Sequence, residues 1–410
     1  MDIKQKNKQS ILPIFLVVLI DMIGIGIVIP VLAPLFINGD IIQGDFAFRT
    51  LILGLLIAAY PLAQFIGAPI LGTLSDKYGR KKLLIISLIG TFIGYILFAI
   101  GIVANQLWIL FFSRILDGFT GGNVAIATSS MADISDEKNK ASRFGLIGMS
   151  FGLGIIIGPF IGGFLADSKI ISWFNHATPF WFAAILCLAN IILFTFLFKE
   201  TLQIKRNSKI SFLTGIKNIR KAFTFPELRT IFAFIFLFSL GFGFYSQFFQ
   251  VYLIEKFSFT ESQIGLFFAF LGLCIALAQG VVVRPLSKIF RPEQIIPIAA
   301  FFTPIFIALM MLPSKSYGLY ILLPFLAIAN GLTFPNNNAL VSNMTSKEHQ
   351  GEILGISQSL QSLSQAIPPV IAGITAGIYY KLPIIISAVL TFIAWLIFII
   401  FFHLKRNVKV

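Results

Sequence analysis

Long apolar stretches alternate with short polar segments from residue 12 to residue 403. A helix that crosses a bilayer needs about 20 mostly apolar residues. Twelve stretches meet that length: 12–36, 50–72, 83–103, 107–131, 143–165, 178–198, 230–252, 263–283, 294–313, 317–340, 353–377 and 383–403. Backbone N–H and C=O groups facing lipid must be satisfied within their own segment, so these stretches are expected to be helical. The fold class expected is an all-α integral membrane protein with twelve transmembrane helices.

Composition agrees. Hydrophobic residues make up 57% of the chain and charged residues 12%, against about 25% charged in soluble domains. The net charge of +14 would suggest a nucleic-acid partner in a soluble chain. Here 25 of the 31 basic residues fall in segments on one side of the expected membrane. The other side holds Arg49, Lys169, Lys256, Lys315 and Lys381, and Arg114 remains within a stretch. Topology therefore explains the charge, and no nucleic-acid partner is expected. The bias predicts both termini in the cytoplasm.

The first stretch is too long for a signal-peptide core and is expected to remain as a membrane helix. Cys187 and Cys274 lie in apolar runs and suggest neither a disulfide nor a metal site. His176, His349 and His403 are dispersed, and no loop exceeds about 30 residues, so no enzymatic site or cofactor is expected.

The longest polar segment, 199–229, lies at the centre of the chain. Phe212, Ile216, Ile219 and Phe223 recur there at helical spacing with Lys217, Arg220 and Lys221 between them. That pattern predicts an amphipathic helix at the cytoplasmic surface. It divides the chain into an N-terminal bundle (1–198) and a C-terminal bundle (230–410), six stretches each. A shift of 210 residues lays Gly121 on Gly331, Gly145 on Gly355, Pro159 on Pro369 and Gly163 on Gly373. Parallel six-helix repeats build one large class of transporters.

Three charges fall well inside apolar stretches: Asp21, Arg114 and Asp117. A carboxylate at bilayer depth costs roughly 2.5–3.5 kcal/mol even on the milder insertion scales, so each is expected to face protein or water. Arg114 and Asp117 are spaced i, i+3 on one helix face. Asp21 and Asp117 are both candidate partners of Arg114, and Asp21 leads as the proton-coupling carboxylate. A static ion pair is the competing reading.

Between the second and third stretches lies Gly72-Thr-Leu-Ser-Asp76-Lys77-Tyr-Gly79-Arg80-Lys81-Lys82. Gly72 is expected to permit close helix contact, and Gly79 a tight turn. The segment resembles the signature loop of the major facilitator superfamily, with Lys77 in place of the pattern's first Arg. In that family the loop acts as a latch between conformational states. In the fifth stretch, Gly154-Ile-Ile-Ile-Gly158-Pro159-Phe-Ile-Gly162-Gly163 resembles the antiporter motif of the drug:proton branch. Ser113-Arg114-Ile-Leu-Asp117-Gly118 resembles its Arg-containing motif. The whole chain is similar to the twelve-helix tetracycline and multidrug exporters. It departs from the tetracycline exporters at Gly94, near Ile275 and near Thr303, where they carry Asp, His and Asp.

The resemblance implies a monomeric, proton-driven antiporter in the bacterial inner membrane that exports a drug-like small molecule. Export of an anionic metabolite such as a carboxylate siderophore, or import by proton symport, are the alternatives. Polar residues in the second half are candidates to line the substrate path: Tyr245, Gln247, Gln250, Asn330, Asn336, Asn337, Asn338, Gln358, Gln361 and Gln365.

Overall fold

A computed structural model of the chain describes residues 3–135, 139–202, 214–222, 224–225, 228–344 and 350–403. Every regular element among them is helical. In order they are α1 (Ile3–Ile37), α2 (Phe46–Tyr78), α3 (Arg80–Val103), α4 (Leu107–Thr120), α5 (Asn123–Asp133), α6 (Lys140–Ala166) and α7 (Thr178–Leu197). The short α8 (Thr214–Ala222) follows, then α9 (Arg229–Phe257) and α10 (Glu261–Leu277), which runs through a wider π turn (Ala278–Val283) into α11 (Arg284–Ile289). The chain ends with α12 (Pro292–Leu309), α13 (Tyr317–Asn343), α14 (Gln350–Ile378) and α15 (Leu382–Ile397), the last closed by a π turn at Phe398–His403.

Ten helices among the described residues are long and apolar enough to cross a membrane. The other two expected stretches are also helical. The stretch 107–131 was expected to be continuous, but it is broken at Gly121–Gly122 into α4 and α5. At the break, Nε2 of Gln64, on α2, donates to the Gly121 carbonyl at 2.9 Å. That acceptor is thereby taken up across the helix pair. Helix α14 is 29 residues long, but its first half is rich in Ser and Gln.

The described residues group into two compact units. Unit 1 contains Met1–Gln43, Ala59–Leu213 and Phe259–Ala269. Unit 2 contains Gly44–Ala58, Thr214–Ser258 and Phe270–Val410. Two pieces are thus exchanged relative to the sequence halves, and close glycine contacts explain both. The first turns of α2 lie in unit 2, where a Cβ on Gly54 would fall 3.1 Å from the Cα of Gly373 on α14. The first turns of α10 lie in unit 1, where a Cβ on Gly163 would fall 2.9 Å from the Cα of Gly265.

Each unit has its own core. In unit 1, Val17, Val18 and Met22 of α1 pack with Leu84 and Leu88 of α3, Ile126 of α5 and Phe194 of α7. In unit 2, Phe234, Ile235 and Phe238 of α9 pack with Ile296, Leu340, Ile356 and Phe398. Within the 199–229 segment the described residues include the short helix α8. Ile219 and Ala222 pack on the unit 2 core, whereas Lys217, Arg220 and Lys221 are exposed. Phe212 and Phe223, and the side chain of Ile216, lie outside what is described.

Candidate functional site

The three intramembrane charges come together in unit 1. Asp21, Arg114 and Asp117 are 8%, 4% and 3% exposed. Arg114 Nη2 lies 3.3 Å from Asp117 Oδ2. Its guanidinium rests on aromatic rings, with Cζ 4.6 Å from the Phe98 centroid and 6.0 Å from that of Tyr60. Such contacts stabilise a desolvated cation. Among the described residues Nε of Arg114 has no hydrogen-bond partner, and Nη2 has the ion pair with Asp117 but no hydrogen bond. Asp21 makes no ion pair among the described residues. Asp117 and the Asn123 side chain lie beside its carboxylate. Tyr60, Tyr95 and Cys187 lie within electrostatic reach of both carboxylates.

Backbone proximity seats these groups. A Cβ on Gly94 would fall 2.9 Å from Cβ of Asp117, so a larger residue on α3 would displace the acid. A Cβ on Gly24 would collide with the Tyr95 hydroxyl, which holds Tyr95 one turn from Asp21. The Asn123 amide is oriented by its own helix: Oδ1 accepts from Val124 N–H at 2.8 Å.

The 72–82 loop forms an ion-pair network. Arg80 Nη1 lies 2.6 Å from Asp76 Oδ1, and its Nε donates to Asp133 Oδ2 at 3.0 Å. Gly79 adopts φ +106°, a left-handed backbone that suits glycine. A carboxylate from the far end of α7 completes the loop. Glu200 accepts from the backbone N–H groups of Arg80, Lys81, Thr201 and Leu202, at 2.9 to 3.0 Å. Lys81 Nζ donates to the Thr195 carbonyl, and Lys77 lies over the Tyr78 ring. The expectation for Gly72 is corrected: among the described residues, no atom beyond its own helix turn lies within 4 Å of where its Cβ would stand. The turn is set by Gly79 instead.

The α6 glycines lie along its contact with α1. A Cβ on Gly158 would fall 2.8 Å from the Cα of Gly26, and one on Gly26 would fall 2.7 Å from Pro159 Cδ. Gly154 meets Met22, and Gly162 meets the Ile27 backbone. Gly163 faces α10 instead.

In unit 2 the candidate lining residues separate. Several use their side chains within the protein: Gln250 Nε2 donates to the Gln247 carbonyl, Asn336 Nδ2 to Leu332, and Gln361 Nε2 to Ser357 Oγ. Gln247 Nε2 donates to the Gln365 carbonyl at 3.0 Å, while the Gln365 side chain is exposed. The side chain of Gln358 lies outside what is described, and Asn338 is exposed. Among the described residues, Tyr245 Oη, Gln250 Oε1, Asn330 Oδ1 and Asn337 Oδ1 are buried without hydrogen-bond partners. Aromatic contacts lead from one of these residues, Tyr245, to α13. Phe242 contacts Tyr245 at 5.7 Å and Phe334 at 6.0 Å between centroids. Asn330 and Asn337 flank Phe334 by one turn on either side of α13.

The profile of the Major Facilitator Superfamily matches residues 14–367, and again 231–410. The chain belongs to that superfamily. It is 31% identical over 367 residues to the class C tetracycline resistance protein of Escherichia coli, spanning 89% of both chains. It is 29% identical over 383 residues to the quinolone resistance protein NorA of Staphylococcus aureus, spanning 92% of both. The fold matches the human organic anion transporter MFSD10 with a TM-score of 0.71, at 20% identity, over 95% of this chain and 99% of that one. This superfamily member is accordingly a multi-pass transporter of the bacterial inner membrane, related to drug-efflux proteins, and not an enzyme.

Sequence reading of this transporter missed four polar contributors. Asp133 and Glu200 meet the signature loop from residues 53 and 119 or more positions away. Asp133 had a signal, as an acid at the end of a helix beside the basic loop. Tyr60 and Tyr95 had none, because a tyrosine in an apolar stretch usually packs.

Proposed function

We propose that this transporter is a proton-coupled antiporter that exports a drug-like small molecule by alternating access between its sequence halves, 1–198 and 230–410. The single observation behind the coupling is the unequal pairing of its buried acids. Asp117 has Arg114 as a counter-ion, and among the described residues Asp21 has none. Leaving an unpaired charge in apolar surroundings is costly, and taking up a proton removes it. Asp21 is therefore the proton carrier, and the Arg114–Asp117 pair is its fixed electrostatic partner.

Twelve helices cross the membrane as a monomer, with both termini in the cytoplasm. The unsatisfied oxygens of Tyr245, Asn330 and Asn337, beside the Phe242–Phe334 contact, supply the polar contacts for substrate. Gln247, Gln250, Gln361 and Gln365 support the packing around them. Inverted membrane vesicles test the direction. Acidifying the vesicle interior is expected to drive uptake of a transported dye such as ethidium, and collapsing the gradient is expected to stop it. Uptake driven by an alkaline interior would establish symport instead.

A further inference from the structure

A second protonatable group lies in unit 1, well apart in sequence from the intramembrane charges. His176 sits in the loop between α6 and α7. Its Nε2 lies 2.9 Å from Oε1 of Glu261, the first residue of α10. Its Nδ1 lies 3.6 Å from Oδ2 of Asp40, just beyond α1. The ring and the Glu261 side chain are 19% and 15% exposed, and Asp40 is 49% exposed. A neutral imidazole carries one N–H and one bare lone pair. If its N–H went to Glu261, the lone pair would face the Asp40 carboxylate. The imidazolium alone presents a donor to both acids. We propose that His176 is an external proton site which, when charged, clasps the first turn of α10 to the α6–α7 loop.

The rest of that seat is already built. Ser262 Oγ donates to Asp167 Oδ2 at 2.6 Å, and Lys169 N–H donates to Asp167 Oδ1 at 2.9 Å. Beneath them Gly163 and Gly265 bring the α6 and α10 backbones together. The acids facing the ring are Asp40 from the end of α1 and Glu261 from α10; Asp167 and Lys169 lie on its own loop. Residues of α10 up to Ala269 group with unit 1 and those beyond with unit 2, so the clasp acts on a helix that belongs to both. It is a control separate from Asp21: Asp21 carries the transported proton, whereas His176 senses the acidity of the compartment opposite the termini. This role rests on the orientation and alternating access proposed above.

The test is a distance measurement by electron paramagnetic resonance on the full-length protein in lipid nanodiscs. Spin labels are placed at Ser172→Cys and Gln263→Cys, both exposed positions, with no substrate present. At pH 5.5 one short distance should dominate, and its population should fall several-fold at pH 8.0. His176→Gln should show the alkaline distribution at both pH values. Asp40→Asn, which removes one acid and keeps the ring, should reduce the shift. A wild-type distribution that ignores pH, or a full wild-type shift in both variants, would overturn the proposal. Because no transport is measured, such a failure would leave the antiporter reading untouched.

Discussion

Arg114 spends its ion pair on Asp117, one turn along its own helix and 3.3 Å away, and not on Asp21. Both side chains of that pair are 5% exposed. Removing one partner of a buried pair strands the other, typically at about 3–5 kcal/mol, whereas replacing both is far milder. Arg114→Leu should therefore lower stability by roughly that amount, and Arg114→Leu with Asp117→Leu should recover most of it. Denaturant unfolding of the purified protein in detergent checks both.

The glycines of α6 and of the signature loop should respond oppositely to added bulk. A Cβ on Gly158 would meet the α1 backbone at 2.6 to 2.8 Å, so Gly158→Val should force α1 and α6 apart and destabilise by at least about 1–3 kcal/mol. Gly72 is helical with open space around it. Gly72→Ala should leave stability unchanged or raise it by up to about 1 kcal/mol. Thermal melts of the two variants distinguish the cases, and a damaging Gly72→Ala would show that the helix is crowded there in another state.

The signature loop depends on two residues that reach it from elsewhere in the sequence. Arg80 holds Asp76 and Asp133 through different nitrogens, a fork that lysine lacks. Arg80→Lys should retain charge yet slow transport. Glu200→Ala leaves backbone N–H groups at the start of α3 without an acceptor and should cost about 1–3 kcal/mol. Transport assays and melting curves on the same preparations separate a conformational defect from an unfolded protein.

Much of this was legible in the chain. Twelve apolar stretches and the Gly79 turn follow from local pattern, because a bilayer imposes a length and a left-handed turn favours glycine. The contact at the Gly121–Gly122 break was not legible, because Gln64 reaches it from another helix. The partner of Arg114 was narrowed to two acids but not chosen, since spacing along one helix says nothing of where α1 lies. Gly94 gives the sharpest example. Position 94 on α3 carries no acid, yet Asp117 of α4 packs against it, a contact that spacing along α3 does not reveal.

Asp167 gives the protein a pH dependence outside the membrane spans. Burial raises its pKa, but hydrogen bonds from Ser262, the Lys169 backbone and Thr260, with the Lys169 charge, outweigh it and hold the carboxyl below its ordinary value. A depressed acid stabilises the fold above its unfolded pKa of about 3.9, and that stability is lost as pH falls through the folded value. Ser262→Ala should shrink this contribution, so its stability should rise less steeply than the wild type's on going from pH 3 to pH 5. Melting temperatures across that range, compared between the two proteins, provide the check.

The central claim is that Asp21 carries the coupled proton. The most direct measurement is proton release driven by substrate addition to detergent-solubilised protein, followed with a pH-sensitive dye, in wild type and Asp21→Asn. The account predicts release in the wild type and none in Asp21→Asn, with the variant still folded and still binding substrate. Wild-type release from Asp21→Asn would contradict it.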